Sequence, residues 1–210
     1  MTHPMTHPRK ALDDAERHLA ALDDDWARLI ATVGPCGLAP GPVREPWQAL
    51  VRAVAYQQLH GRAADAIMGR LLARHGGNFP TPQQLFETDA EALRACGFSA
   101  RKADTLRGIA EGALNGHVPG RDEALALADE ALVSRLTALR GIGRWTVDML
   151  LMFTLERGDI LPADDFGVRD GYRRLKSLDA LPTARQIAAL GAPWAPHRSA
   201  ASWYLWRVPK

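Results

Sequence analysis

The sequence predicts an all-α protein, and two observations carry that expectation. Apolar residues recur at three- and four-residue intervals in nearly every segment, the spacing that places them on one face of a helix. No stretch alternates apolar and polar with the period of two that a half-buried strand requires.

Taken in order, MTHPMTHP at residues 1–8 is a short tandem repeat with two prolines and reads as a disordered tail. Residues 10–34 set Leu12, Ala15, Leu19, Leu22, Trp26, Leu29, Ile30 and Val33 at helical spacing, with a break expected near Asp23–Asp25, whose carboxylates suit a helix cap. PCGLAPGP at 35–42 is a loop by its Pro and Gly content. Pro46 suits the first turn of a helix running to about Leu59, followed by another over 61–75. Two short helices are expected at Thr81–Thr88 and Asp89–Cys96, then a longer one from Ser99 to about Leu114. Arg101 and Lys102 fall in the first turn of that helix, where cations oppose the helix dipole; a phosphate partner or a solvated surface would each account for them. NGHVPGR at 115–121 is a loop, and 122–134 is acidic and Ala-rich. A helix is expected over Phe166–Lys176, another from Pro182-Thr183 to Leu190, and a last element over Pro193–Val208 with Trp194, Trp203 and Trp206.

With 210 residues, 47% hydrophobic and 24% charged, the chain is long enough for a real core. A net charge of +2 is too small to argue for nucleic acid by itself. Its distribution says more: acidic residues crowd the N-terminal part, while Arg140, Arg144, Arg169, Arg173, Arg174, Lys176 and Arg198 cluster later. Cys36 and Cys96 are far apart and have no metal-type spacing, which argues against a disulfide framework, a zinc site and an iron–sulfur cluster. No apolar run approaches the roughly 18 residues of a membrane span, and the N-terminus lacks an apolar signal region. The default expectation is a cytoplasmic protein with no membrane partner.

The most informative stretch is LTALRGIGRWTVDMLLMFTLERGDILPADDF, residues 136–166. Gly141 and Gly143 bracket one apolar residue between two helical segments. Glycine adopts positive φ freely and leaves backbone N–H groups uncovered. Such groups beside a helix N-terminus form an anion site, and a DNA phosphate would fit, with Arg140 and Arg144 adding charge. An ordinary helix–turn–helix with a glycine C-cap has the same local pattern. Asp164 and Asp165 start the next helix, where a carboxylate caps N–H groups with or without chemistry.

Gly-Ile-Gly-Arg-Trp-Thr, the Pro-Ala-Asp-Asp turn beyond it, YQQL at 56–59 and the Trp-rich C-terminus together resemble the helix-hairpin-helix DNA glycosylases, over roughly residues 45–206. The likeness is to the alkylation-repair branch, the DNA-3-methyladenine glycosylase II type. It implies two helical lobes with a helix-hairpin-helix motif at about 131–156 and the active site in the cleft between them. The expected division is a tail at 1–8, N-terminal helices at 9–44 belonging to the second lobe, and a glycosylase core at 45–210. The implied catalytic residue is Asp165. Trp145, Trp206, Tyr56 and Met149 would wall the base pocket, where electron-rich rings meet a cationic base. Leu59 falls at the wedge that fills the gap left by a flipped base, and Gln58 where a polar residue faces DNA. From periodicity alone Leu59 reads as a core leucine, and Trp206 equally as core packing.

The resemblance also implies that no cofactor is required, although backbone carbonyls of Thr137, Leu139 and Ile142 match positions that hold a structural Na+ or K+ at the hairpin. Bifunctional members carry a lysine where this chain has Trp145, so a monofunctional enzyme is expected, leaving an abasic site without cutting the strand. The residues before 45 are too few and too helical for the extra β-containing domain of larger members. The expected partner is double-stranded DNA containing alkylated bases, acted on by a monomer in the cytoplasm or, in a eukaryote, the nucleus. Two alternatives stay open: a glycosylase for another lesion such as ethenoadenine or hypoxanthine, and a non-catalytic helix-hairpin-helix module.

Overall fold

A computed structural model describes residues 8–38, 42–57, 59 and 61–209. Gln58 and residues 1–7 of the expected tail lie outside the described residues; Pro8 opens the first helix. Among the described residues there are helices and no strands. The chain divides into two compact units, one formed by residues 1–41 together with 156–210 and the other by 42–155.

The continuous unit holds α3 (Pro46–Tyr56), α4 (Gly61–Arg74), α5 (Pro82–Glu87), α6 (Ala90–Ala95), α7 (Ala100–Leu114), α8 (Arg121–Ala126), α9 (Asp129–Thr137) and α10 (Arg144–Phe153). α7 is its axis and packs against α3, α5 and α6. It begins at Ser99, whose hydroxyl accepts the N–H of Lys102, and it buries Ala103, Leu106, Ile109 and Ala110. Thr81 forms a reciprocal capping box with Gln84 at α5, and Asp89 caps α6.

The discontinuous unit holds α1 (Pro8–Ala20), α2 (Asp24–Val33), α11 (Phe166–Leu175), α12 (Ala184–Leu190), a 3-10 turn (Ala192–Trp194) and α13 (Arg198–Leu205). Asp23 caps α2 by accepting the N–H groups of Asp25 and Trp26. Leu19, Trp26, Leu29, Val168, Ile187, Trp194 and Tyr204 form the core, with the Trp26 and Trp194 rings edge to face at 5.4 Å. The N-terminal helices therefore complete the core that residues 156–210 begin. Residues 156–210 accordingly separate from 42–155, within the single 45–210 core that the resemblance implied.

The Ala-rich stretch after 121 forms two helices, because Leu127 and Ala128 are extended. Two element boundaries differ from the sequence expectation. The C-terminal element is broken: Pro196 has no N–H to continue a helix, and α13 starts afresh at Arg198. α3 stops at Tyr56 rather than Leu59. Lys102 explains the last of these, since its ammonium donates to the carbonyls of Ala55 (3.0 Å) and Gln57 (2.8 Å) and so closes the helix C-terminus. Burial pushes this lysine below its ordinary pKa. An internal carbonyl cap replaces both sequence explanations of Lys102. Cys36 and Cys96 are buried free thiols.

Candidate functional site

Asp165 is the N-cap of α11. The turn before it is tied by the Asp165 N–H to the Pro162 carbonyl (2.9 Å) and the Ala163 N–H to the Leu161 carbonyl (2.8 Å). Its Oδ1 accepts two hydrogen bonds, from the N–H of Val168 at 2.8 Å and from the Nε1 of Trp206 at 2.7 Å. Cap and indole together fix the carboxylate at the positive end of a ten-residue helix. The carboxyl is half-buried, whereas Asp164 is exposed. Trp206 thus holds Asp165 directly, a contact made in addition to any part its ring plays in the base pocket that the resemblance implied.

Gly167 makes that contact sterically possible. A Cβ there would lie 2.7 Å from Trp206 Cδ1 and 3.0 Å from Asp165 Oδ1. Sequence reading passed over Gly167, because the approach joins residues 41 apart.

In the other unit the hairpin between α9 and α10 is closed by the Ile142 N–H on the Leu139 carbonyl, 3.1 Å. Gly141 has φ +88°, and a Cβ at this position would strike the Thr105 side chain, so only glycine fits. Gly143 caps α10 and brings no side chain to the first-turn N–H groups. Arg140 is exposed, while Arg144 reaches Glu130 at 2.5 Å. The hairpin is therefore a backbone concavity at the positive end of a helix with Arg140 at its edge, an arrangement suited to a phosphate.

Leu59 sits just past α3, 40% exposed, with its N–H on the Tyr56 carbonyl. That exposure removes it from the core. The Gln57 side chain donates to Thr146 Oγ1 (3.3 Å), tying the end of α3 to the start of α10. Trp145 is 40% exposed on the first turn of α10. Met149 follows one turn later and lines a cavity of about 160 Å³ between α3 and α10. Tyr56 donates to Asp65 and lies under the Arg52 guanidinium, 5.5 Å from the ring centroid; the bond to Asp65, aided by burial, raises its pKa. The structure thus brings Tyr56, Trp145, Met149 and Leu59 into the unit of the hairpin, and Asp165 and Trp206 into the other. Lys102 and Gln57, which anchor the approach to Leu59, were not singled out for that role.

No group of three or more His, Cys, Asp or Glu side chains arranged to hold a metal occurs among the described residues. No described helix is long and apolar enough to cross a membrane.

These are the parts of a helix-hairpin-helix DNA repair protein, and residues 51–196 match the HhH-GPD superfamily of base excision DNA repair proteins. The chain belongs to that family. It is 47% identical over 204 residues to DNA-3-methyladenine glycosylase 1 of Schizosaccharomyces pombe, covering 95% of this chain and 89% of that one. It is 38% identical over 198 residues to the alkylbase DNA glycosidase-like protein mag2 of the same yeast, covering 93% of each. Among solved structures, the S. pombe 3-methyladenine DNA glycosylase in complex with abasic DNA superposes with a TM-score of 0.86, covering 92% of this chain and 95% of that one. A DNA-3-methyladenine glycosidase from Bacillus halodurans gives 0.81 at 33% identity, covering 92% and 88%.

Proposed function

We propose that the protein is a monofunctional DNA glycosylase that extrudes alkylated purines of the 3-methyladenine and 7-methylguanine type from duplex DNA and releases them by hydrolysis. The observation that carries this reading is the carboxylate of Asp165, held on one oxygen by a helix N–H and an indole N–H in a member of a base excision family. Relatives bearing the name 3-methyladenine glycosylase support the alkylpurine assignment.

The chemistry follows from what each group supplies. An alkylated purine is already cationic, so the bond from C1′ to the base nitrogen breaks with its electron pair leaving on the base, which becomes neutral. Positive charge develops on the sugar, as in other glycoside cleavage, and a fixed carboxylate stabilises it. Water adds to C1′, and Asp165 orients it and takes its proton before passing it to solvent. Trp145 and Met149 would stack on the extruded base, and Leu59 would occupy the gap it leaves. Arg140, Gly141 and Gly143 would grip a phosphate, with Gln58 facing the DNA and Arg144 adding charge from its Glu130 pair. The carbonyls of Thr137, Leu139 and Ile142 would hold a monovalent cation that adds charge at that phosphate; the Leu139 oxygen accepts one N–H and keeps a second lone pair for it. With Trp145 where bifunctional members carry a lysine, no Schiff base forms and the strand stays intact. The protein would act as a monomer wherever the cell keeps its DNA, in a nucleoid or a nucleus.

The test is base release from a duplex treated with a simple methylating agent. Free 3-methyladenine, with strand breaks appearing only after alkali, is the expected result. Breaks before alkali, or no release at all, would contradict it.

A further inference from the structure

α3 and α10 enclose their cavity asymmetrically. Ala49 and Ala53 on α3 are small and leave the space, Met149 and Phe153 on α10 wall it, and the polar lining includes the two arginines, Arg44 and Arg52. Trp145, Met149 and Phe153 succeed one another at four-residue steps on α10, so they share a face. Tyr56 follows Arg52 at the same step on α3. Because Gln57 bonds Thr146, the end of α3 meets the start of α10. Met149 therefore belongs both to the Trp145 face of α10 and to the wall of the cavity, which Arg52 lines from α3.

Neither arginine is ion-paired among the described residues. Arg52 Nη2 reaches the Tyr56 hydroxyl at 3.4 Å, a contact that leaves most of its donors available. Burial, and then the neighbouring charge of Arg52, pushes the Arg44 guanidinium below its ordinary pKa. Two half-buried cations placed together, with the Asp65 carboxylate bonded to the Tyr56 hydroxyl rather than to either guanidinium, keep donor capacity for a ligand. Apolar walls suit a flat ring better than a phosphate, which favours polar surroundings on all sides.

A guanidinium donates hydrogen bonds and accepts none. Facing a purine, it pairs with an oxo group at C6 and opposes an amino group there, whose hydrogens would point at its own. Both methylated purines carry a positive charge in DNA, so the discrimination rests on the group at C6. We infer that Arg44 and Arg52 set the base preference of this protein, selecting purines with an oxo group at C6 over 6-amino purines. On this inference, which rests on the glycosylase reading above, 7-methylguanine is favoured over 3-methyladenine, and the neutral 6-oxo base hypoxanthine is also a substrate.

The experiment uses the full chain and one methylated duplex carrying both 7-methylguanine and 3-methyladenine. The readout is the ratio of the initial rates at which the two bases are released, by wild type, Arg44→Met, Arg52→Met and the corresponding lysine variants. Both bases come from the same DNA and the same enzyme, so the ratio is independent of how much of a variant folds. The ratio is expected to fall by about tenfold in each methionine variant and by less in the lysine variants, which keep the charge but lose the planar fork. Release from a hypoxanthine duplex should fall in step with 7-methylguanine. A ratio within about twofold of wild type in both methionine variants would overturn the inference while leaving the glycosylase reading intact. Wild type that releases neither base would instead overturn the glycosylase reading.

Discussion

Two helix N-termini of this protein face opposite electrostatic tasks. α10 starts at Gly143, which contributes no side chain, and α11 starts at Asp165, whose carboxylate lies across its first-turn N–H groups. Both ends carry the same partial positive charge. The first leaves that charge for an anion from outside the protein; the second uses it to hold an anion of its own. In the proposed reaction α10 grips phosphate and α11 positions the reacting carboxylate. A third end provides a control: α13 begins at Arg198, which is paired with Asp159 at 2.6 Å, and no chemistry is assigned there.

The comparison can be broken most decisively at α11. Asp165→Asn keeps a side-chain acceptor for the cap but removes the charge, and single-turnover base release should drop by at least about 100-fold with DNA affinity retained. Trp206→Phe removes the indole donor and should slow release by about tenfold. Gly167→Ala should act through the same contact, so the double variant is expected to be no slower than the worse single one. Full additivity in that cycle would show that Gly167 acts by some other route.

At α10, Gly143→Asp tests the opposite requirement. Its extended backbone, φ −98° and ψ 168°, accepts aspartate, so thermal stability should change by only a few tenths of a kcal/mol while DNA affinity falls by about tenfold at fixed salt. Lys102→Met examines the opposite pole, a helix C-terminus closed by a cation. Denaturant titration should show a loss of about 1–2 kcal/mol, because two carbonyls lose their donor.

The smallest effect is expected at α13. The Arg198 guanidinium holds the Asp159 carboxyl below its ordinary value of 3.8. Its contribution to stability is therefore present above that value and lost as pH falls through the lower folded pKa. Asp159→Asn should flatten the acid limb of the stability–pH curve, by less than about 1 kcal/mol for a partly exposed pair, and leave base release unchanged.

Local signals made much of this architecture legible. Ser99, Thr81, Asp89 and Thr183 each sit where a side-chain oxygen caps a helix, and each does so. Gly141 was readable because a turn with positive φ has few other solutions. The extended pair Leu127-Ala128 was not readable, since neither residue has a backbone constraint of its own. The site divides in the same way. Asp165 announced itself as a cap in the turn that follows a glycine hairpin in sequence, and the family pattern gave it a role. The bond from Trp206, the space left by Gly167 and the reach of Lys102 to α3 join residues 39 to 47 apart, and no local pattern encodes such approaches.

The division of labour between the two helix starts is tested most directly by measuring two quantities on two variants. Affinity for a methylated duplex and single-turnover release would be determined for Asp165→Asn and Gly143→Asp under one set of salt and pH conditions. The account predicts a crossed result: Asp165→Asn binds like wild type and does not release, while Gly143→Asp binds weakly but releases at the wild-type rate once DNA is saturating. If both variants lost binding and release together, the two ends would be serving one undivided function and the account would fail.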